Sequence, residues 1–314
     1  MSNLRTICLG SALLLAGPAS AHFATAIAEG FKSSDYESLG KLIAAYGKAR
    51  VDNKGVDKAQ EEIAKELASI QKRIKRDPLA SSADMGKALW QQFAYDKSAN
   101  NAVKHNKVDL RDFTAYFNAK AKLAYAIWTP AKYDPKKAHP LILCITDKGI
   151  KPTDYITENW IDPAIRDGAL VATVPMPEKE DAWLAVTPGQ ECGHANLGHT
   201  YREITSNYAV DFDRVFLCGQ GRGVEAATTF ATRYADRFAG LIGRAGDAAD
   251  VQVENLSNLP SFFAGGGAKA TALSEKLDKL GYKNCTLKPE GKEAEIWAWM
   301  QEHPRVSNPM EVVL

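Results

Sequence analysis

From about residue 100 onward the sequence alternates short, unbroken apolar runs with helical stretches, a pattern that few folds accept. The runs are Pro140-Leu141-Ile142-Leu143-Cys144-Ile145, Ala169 to Val174, Arg214 to Cys218, Phe238 to Ile242, Pro260 to Ala264 and Cys285 to Leu287. A run with no polar alternation is a strand buried on both faces. Val224 to Tyr234 and Thr271 to Leu280 are helical stretches between such runs. Parallel neighbours need a crossover connection, usually a helix, and successive crossovers place helices on both faces of the sheet. The expected fold is therefore α/β, with a mostly parallel central sheet covered on both sides. Ahead of the first buried run, Lys122 to Thr129 alternates as a further strand, and Pro130-Ala131-Lys132-Tyr133-Asp134-Pro135 forms a turn.

The first hundred residues differ. Val56, Ala59, Ile63, Leu67, Ile70 and Ile74 recur at steps of three and four among charged residues, which gives a helix with one apolar stripe ending at Asp77-Pro78. Amphipathic stretches at Leu39 to Tyr46 and Met85 to Tyr95 are expected to pack against it. Before them, Arg5 precedes an apolar run from Ile7 to Ala16, then Gly17-Pro18 and Ala19-Ser20-Ala21. That run is too short to span a bilayer and reads as a secretory signal peptide, with the mature chain starting near His22. The expected division is a signal peptide at 1–21, a helical module at 22–100 and an α/β domain at 101–314, with no membrane span after cleavage. The protein is expected to be exported, periplasmic or extracellular.

A formal charge of +1 provides no field for a nucleic-acid backbone or an anionic membrane, so neither is expected as a partner. After cleavage Cys144, Cys192, Cys218 and Cys285 remain. They show no metal or redox spacing and read as buried thiols, although an exported location permits disulfides and the sequence does not choose among pairings. Tryptophans Trp128, Trp160, Trp183, Trp297 and Trp299 read as packing residues rather than a stacking surface.

The most specific segment is Asp211-Phe212-Asp213-Arg214-Val215-Phe216-Leu217-Cys218-Gly219-Gln220-Gly221-Arg222-Gly223, a strand, a glycine turn and a helix that continues to Arg233-Tyr234-Ala235-Asp236-Arg237-Phe238-Ala239. With Tyr208 ahead of it, this string resembles the nucleophile-elbow region of the secreted esterase and polyhydroxybutyrate-depolymerase-like branch of the α/β-hydrolases, where the strand runs into G-x-S-x-G. Trp128-Thr129-Pro130, Tyr133-Asp134 and Pro140 to Leu143 are similar to that branch's entry to the oxyanion loop. Trp297 to Met300, His303-Pro304-Arg305 and Asn308 to Val312 are similar to its last helix and tail. The resemblance covers about residues 120–314.

What the resemblance implies for catalysis is largely missing. Acyl transfer needs a nucleophile at the turn, a histidine beside it and a carboxylate to orient the histidine. Gly221 stands where the serine is expected, and Lys292 roughly where the histidine is. Glu290, Glu293 and Glu295 favour that lysine's charge. Gly265 to Ala272, where the carboxylate usually follows, contains no acid, which leaves Asp247 as the alternative orienter. The oxyanion loop reads Thr146-Asp147-Lys148-Gly149, with an aspartate that repels a developing oxyanion.

The expected function is therefore that of a catalytically inactive hydrolase-fold protein that needs no cofactor and binds a small ligand or a protein partner. Its vestigial pocket would be formed by Thr146, Asp147, Lys148, Gly219, Gln220, Gly221 and Arg222. One alternative is an active esterase using Thr146, Cys218 or Cys192 as nucleophile. Another is a nucleotide- or anion-binding protein that uses the glycine-rich turn and Arg222 at a helix N-terminus, though G-x-G-x-x-G would need glycine at Val224. Cys192, His194 and His199, with Glu191, have metal-ligand chemistry but no common zinc spacing, and no metal is expected.

Overall fold

The computed structural model describes residues 30–95, 103–114, 122–147, 149–174 and 193–306. The expected signal peptide with Cys8, Lys148, the stretch holding Trp183, Glu191 and Cys192, and the tail from Asn308 lie outside the described residues.

Among the described residues three α-helices come first: α1 (Ser33–Val51), α2 (Val56–Ile74) and α3 (Ser82–Gln91). The stripe read from Val56 to Ile74 is α2, which stops at Lys75 in a left-handed conformation, φ 55°. Asp77 then caps a short 3₁₀ turn that begins at Pro78. Leu39, Ile70, Ile74 and Ala88 form a small core between these helices. Three large buried side chains at about 1.5–3 kcal/mol each do not offset the entropy of ordering three helices. The layer therefore gains from its contacts with the rest of the protein: Trp90 packs on the main core, and in the turn ahead of His139 the Lys136 carbonyl accepts from Gln91 at 3.2 Å and the Lys136 ammonium lies 3.6 Å from Glu37.

The described residues from 103 onward build an eight-stranded sheet in the order β1-β2-β4-β3-β5-β6-β7-β8. Its strands are β1 (Lys107–Thr114), β2 (Lys122–Thr129), β3 (His139–Ile145), β4 (Leu170–Val174), β5 (Val210–Gln220), β6 (Gly240–Arg244), β7 (Ser261–Ala264) and β8 (Cys285–Lys288). Among the described residues the β1/β2 and β2/β4 pairings are antiparallel and the others parallel. Helices α6 (Gly193–Asn207), α7 (Gly223–Arg233) and α8 (Ala268–Lys279) bury Leu197, Ile204, Phe230 and Leu277 on one face. Helices α4 (Pro152–Glu158), α5 (Pro163–Gly168) and α9 (Glu293–Glu302) bury Tyr155, Ile165, Ile296 and Met300 on the other. The α/β fold, mostly parallel with helices on both faces, is as the sequence predicts.

Two strands differ from their sequence reading. Strand β5 extends beyond Arg214 to Cys218, because Phe212 and Asp213 in its first half are exposed and hide the strand pattern. Strand β1 was not foreseen. It is an edge strand whose buried face carries Asp109, a carboxylate paired with Lys104 at 2.6 Å and Arg111 at 3.0 Å, so charge replaces the apolar signal. The chain steps from β3 outward to β4 and then returns past β3 to β5. Strand order thus reverses between β3 and β5, and ligands of open α/β sheets bind beyond the carboxyl ends of strands at such a point.

Candidate functional site

The turn at that point follows from close backbone approach. A Cβ on Gly219 would lie 2.5 Å from the Gly223 carbonyl carbon, one on Gly223 2.9 Å from that of Ile145, and one on Gly246 2.7 Å from that of Gly221. These neighbours are main chain and cannot step aside. Gly221 has φ +56°, donates to the Arg244 carbonyl at 3.0 Å and accepts from the Val224 amide at 3.2 Å. Its surroundings are of another kind. A Cβ there would lie 2.7 Å from Asp147 Cγ and 3.1 Å from Asp147 Cβ, so the Asp147 carboxyl group fills the space a side chain on residue 221 would enter. Beside it Thr146 is fully buried, with its hydroxyl unpaired.

Next to this turn a crevice of about 240 Å³ opens over the carboxyl ends of β5 to β8, lined by Gln220, Arg244, Gly265, Pro289, Glu290 and Gly291 among others. Arg244, the last residue of β6, projects a largely buried guanidinium that stacks on the Trp160 ring at 4.7 Å and faces Glu293 at 3.4 Å. Burial works against its charge, but Tyr155, Cys218, Glu293 and Cys144 outweigh that and raise its pKa. Glu293 also accepts from the main-chain amides of Trp160 and of Asp162, the latter at 2.9 Å. That clamp holds Trp160 in a left-handed conformation, φ 58°, and Ala245, directly after Arg244, has φ 47°. Non-glycine residues persist there only where the surrounding structure over-determines them. Beneath the guanidinium, Cys144 and Cys218 are register partners on β3 and β5, both free and fully buried. Burial and a hydrogen bond between the two thiols push Cys144 well above the ordinary thiol range.

A solved structure of a thermostable esterase is similar to this chain with a TM-score of 0.52 and 16% identity, over 64% of this chain and 64% of that one. The chain has the α/β-hydrolase fold. The match spans just under two thirds of the esterase's length. A ferulic acid esterase is similar with a TM-score of 0.48 at 12% identity, over 62% of this chain and 95% of that one. An S-formylglutathione hydrolase from Agrobacterium tumefaciens is similar with a TM-score of 0.45 at 14% identity, over 62% of this chain and 91% of that one. No family model and no curated protein sequence matches the chain.

In an α/β-hydrolase the crevice lies where a triad would converge, and the described residues do not supply one. Lys292 is exposed at the start of α9. Asp247 is committed elsewhere: its carboxylate accepts from the amides of Ala248 at 3.0 Å, Lys269 at 3.1 Å and Ala270 at 2.8 Å, capping α8. Partial burial raises its pKa, but those three amide bonds prevail and lower it. The described histidines stand away from the turn. His139 opens the central strand β3 at its amino end, away from the turn, against the Tyr133 ring at 4.8 Å. His303 closes α9 and stacks on Trp299. His194 meets Arg233 at the far end of α7, at 3.2 Å, and the Phe230 ring at 5.3 Å. Burial and Arg233 lower the His194 pKa to about 4, and that cation disfavours a metal there. His199 lies along α6 in a surface groove with Arg202 and Arg237.

The alternative readings meet particular obstacles. Cys218, like Thr146, is fully buried, which withholds both from a substrate. A pyrophosphate at the glycine turn would meet the amides of Gly221 and Val224 already bonded and the Asp147 carboxylate alongside. Lys148 and Cys192 lie outside the described residues. Sequence reasoning passed over Arg244, Trp160 and Glu293 as site residues. The available signal was a lone arginine closing an apolar run at the carboxyl end of a strand.

Proposed function

We propose that this is an exported protein that keeps the α/β-hydrolase fold without hydrolase chemistry and acts by binding a ligand or a protein partner. The observation that carries this reading is the Asp147 carboxyl group lying over Gly221. It fills the nucleophile's place, and its charge opposes the oxyanion that acyl transfer must stabilise. The lack of a described histidine near the turn, and the use of Asp247 as a helix cap, support the same reading. On this reading residues 1–21 are removed on export, the helical module at 22–100 packs beside the hydrolase-like domain at 101–314, and either that module or the crevice holds the partner.

The test is a broad ester panel with the purified protein. No turnover above background is expected from the wild type or from Gly221→Ser, because the base is missing as well. Turnover that disappears on replacing Thr146, Cys218 or Cys192 would overturn the reading in favour of an unusual nucleophile. Amino-terminal sequencing of exported material, expected to begin near His22, tests the location.

A further inference from the structure

We infer that the crevice above Arg244 binds a small zwitterionic α-amino acid. The inference rests on the binding reading above and names its ligand.

Gln220 and Arg244 are register partners at the ends of adjacent strands. Arg244 Nη2 reaches Glu293, but Nη1 is buried without an acceptor. Gln220 Oε1 is likewise buried without a donor. Two neighbouring residues of the crevice lining thus carry an unfilled donor and an unfilled acceptor. A ligand engages both as the half-buried Gln220 side chain turns toward it.

The charges narrow the class. Glu290 stands exposed at the rim, so the crevice offers a cation at its floor and an acid at its mouth. A simple carboxylate suits Arg244 but faces Glu290, and a simple amine suits Glu290 but faces Arg244. An α-amino acid matches both, with its carboxylate on Arg244 Nη1 and its ammonium toward Gln220 Oε1 and Glu290. The volume of about 240 Å³ holds a small amino acid. The Trp160 ring at 4.7 Å and Glu293 at 3.4 Å hold the guanidinium in place, as a preorganised site requires.

Calorimetric titration of the full chain with glycine, L-alanine and L-serine tests this, with acetate, lactate and ethylamine as single-function controls. The amino acids are expected to bind and the controls to bind at least roughly ten-fold more weakly, the scale of one charge-assisted hydrogen bond. Arg244→Gln and Gln220→Leu are each expected to weaken amino-acid binding by a similar factor. Gln220→Leu leaves the Glu293 clamp intact, so it remains informative should Arg244→Gln fail to fold. Absence of amino-acid binding, equal binding of lactate or acetate, or unchanged affinity in Gln220→Leu would each overturn the inference. With ester turnover still absent, any of these results leaves the binding reading standing, whereas turnover overturns that reading independently.

Discussion

Restoring a serine at the turn is the sharpest perturbation, because the structure separates its cost into two parts. Gly221 has φ +56°, a region in which a residue with a Cβ costs roughly 1–2 kcal/mol more than glycine. The new Cβ would also lie 2.7 Å from Asp147 Cγ, so the half-buried carboxylate must leave its place. Displacing it adds about 1 kcal/mol, the usual worth of a partly buried polar contact. Gly221→Ser is therefore expected to cost about 2–3 kcal/mol in the wild type but only about 1–2 kcal/mol in an Asp147→Ala background. The cycle should give a coupling of about 1 kcal/mol, measured from urea midpoints at constant slope. Strict additivity would refute the claim that Asp147 occupies the side-chain space of residue 221. Neither single variant nor the double variant is expected to hydrolyse esters.

Three further perturbations probe other parts of the site. Asp247→Ala removes the cap of α8 and should cost about 1–2 kcal/mol in urea unfolding, and because the folded pKa is lowered, this stability is present at neutral pH and is lost as acid protonates the carboxylate. Glu293→Gln leaves the buried Arg244 charge without its partner and loosens the Trp160 loop, and should cost about 2–4 kcal/mol in the same assay. His194 takes up its proton near pH 6.5 when unfolded but only near pH 4 when folded, so stability rises with pH across that window, by at most about 3 kcal/mol. His194→Gln should flatten that rise in a series of thermal melts, leaving the smaller contributions of His139 and His199, whose pKa values are lowered in the same direction.

The sheet was legible because its strands are buried on both faces, which leaves continuous apolar runs such as Leu141 to Ile145 and Leu170 to Val174. Strand β1 was not, since its buried face presents an ion-paired Asp109. For the site, the departure from a serine, a histidine and an acid at the expected positions could be read from Gly221, Lys292 and the acid-free 265–272 segment, but what stands there instead could not. Asp147 reads in sequence as a poor oxyanion-loop residue, and only packing reveals that it lies over the turn. Arg244 and Glu293 are 49 residues apart and meet only because α9 starts beside the end of β6. Asp247 invites a catalytic reading until its three amide partners, two of them more than 20 residues away, are in place.

The glycines explain how the turn can persist without a serine at residue 221. Gly219, Gly223 and Gly246 face main-chain atoms of the neighbouring turn or strand, so a side chain at any of them would push apart the backbone that joins β5 to α7. Those three are requirements of the fold, and they hold whether or not a reaction takes place. Gly221 differs because its neighbour is a side chain, and a side chain can be exchanged. A sequence constrained only by folding therefore preserves the glycine spacing of an elbow, while residue 221, beyond the cost that its φ of +56° sets, is left to adjust with residue 147. Glycine spacing alone consequently reports the βα turn, and the chemistry has to be judged from the pair that faces each other across it.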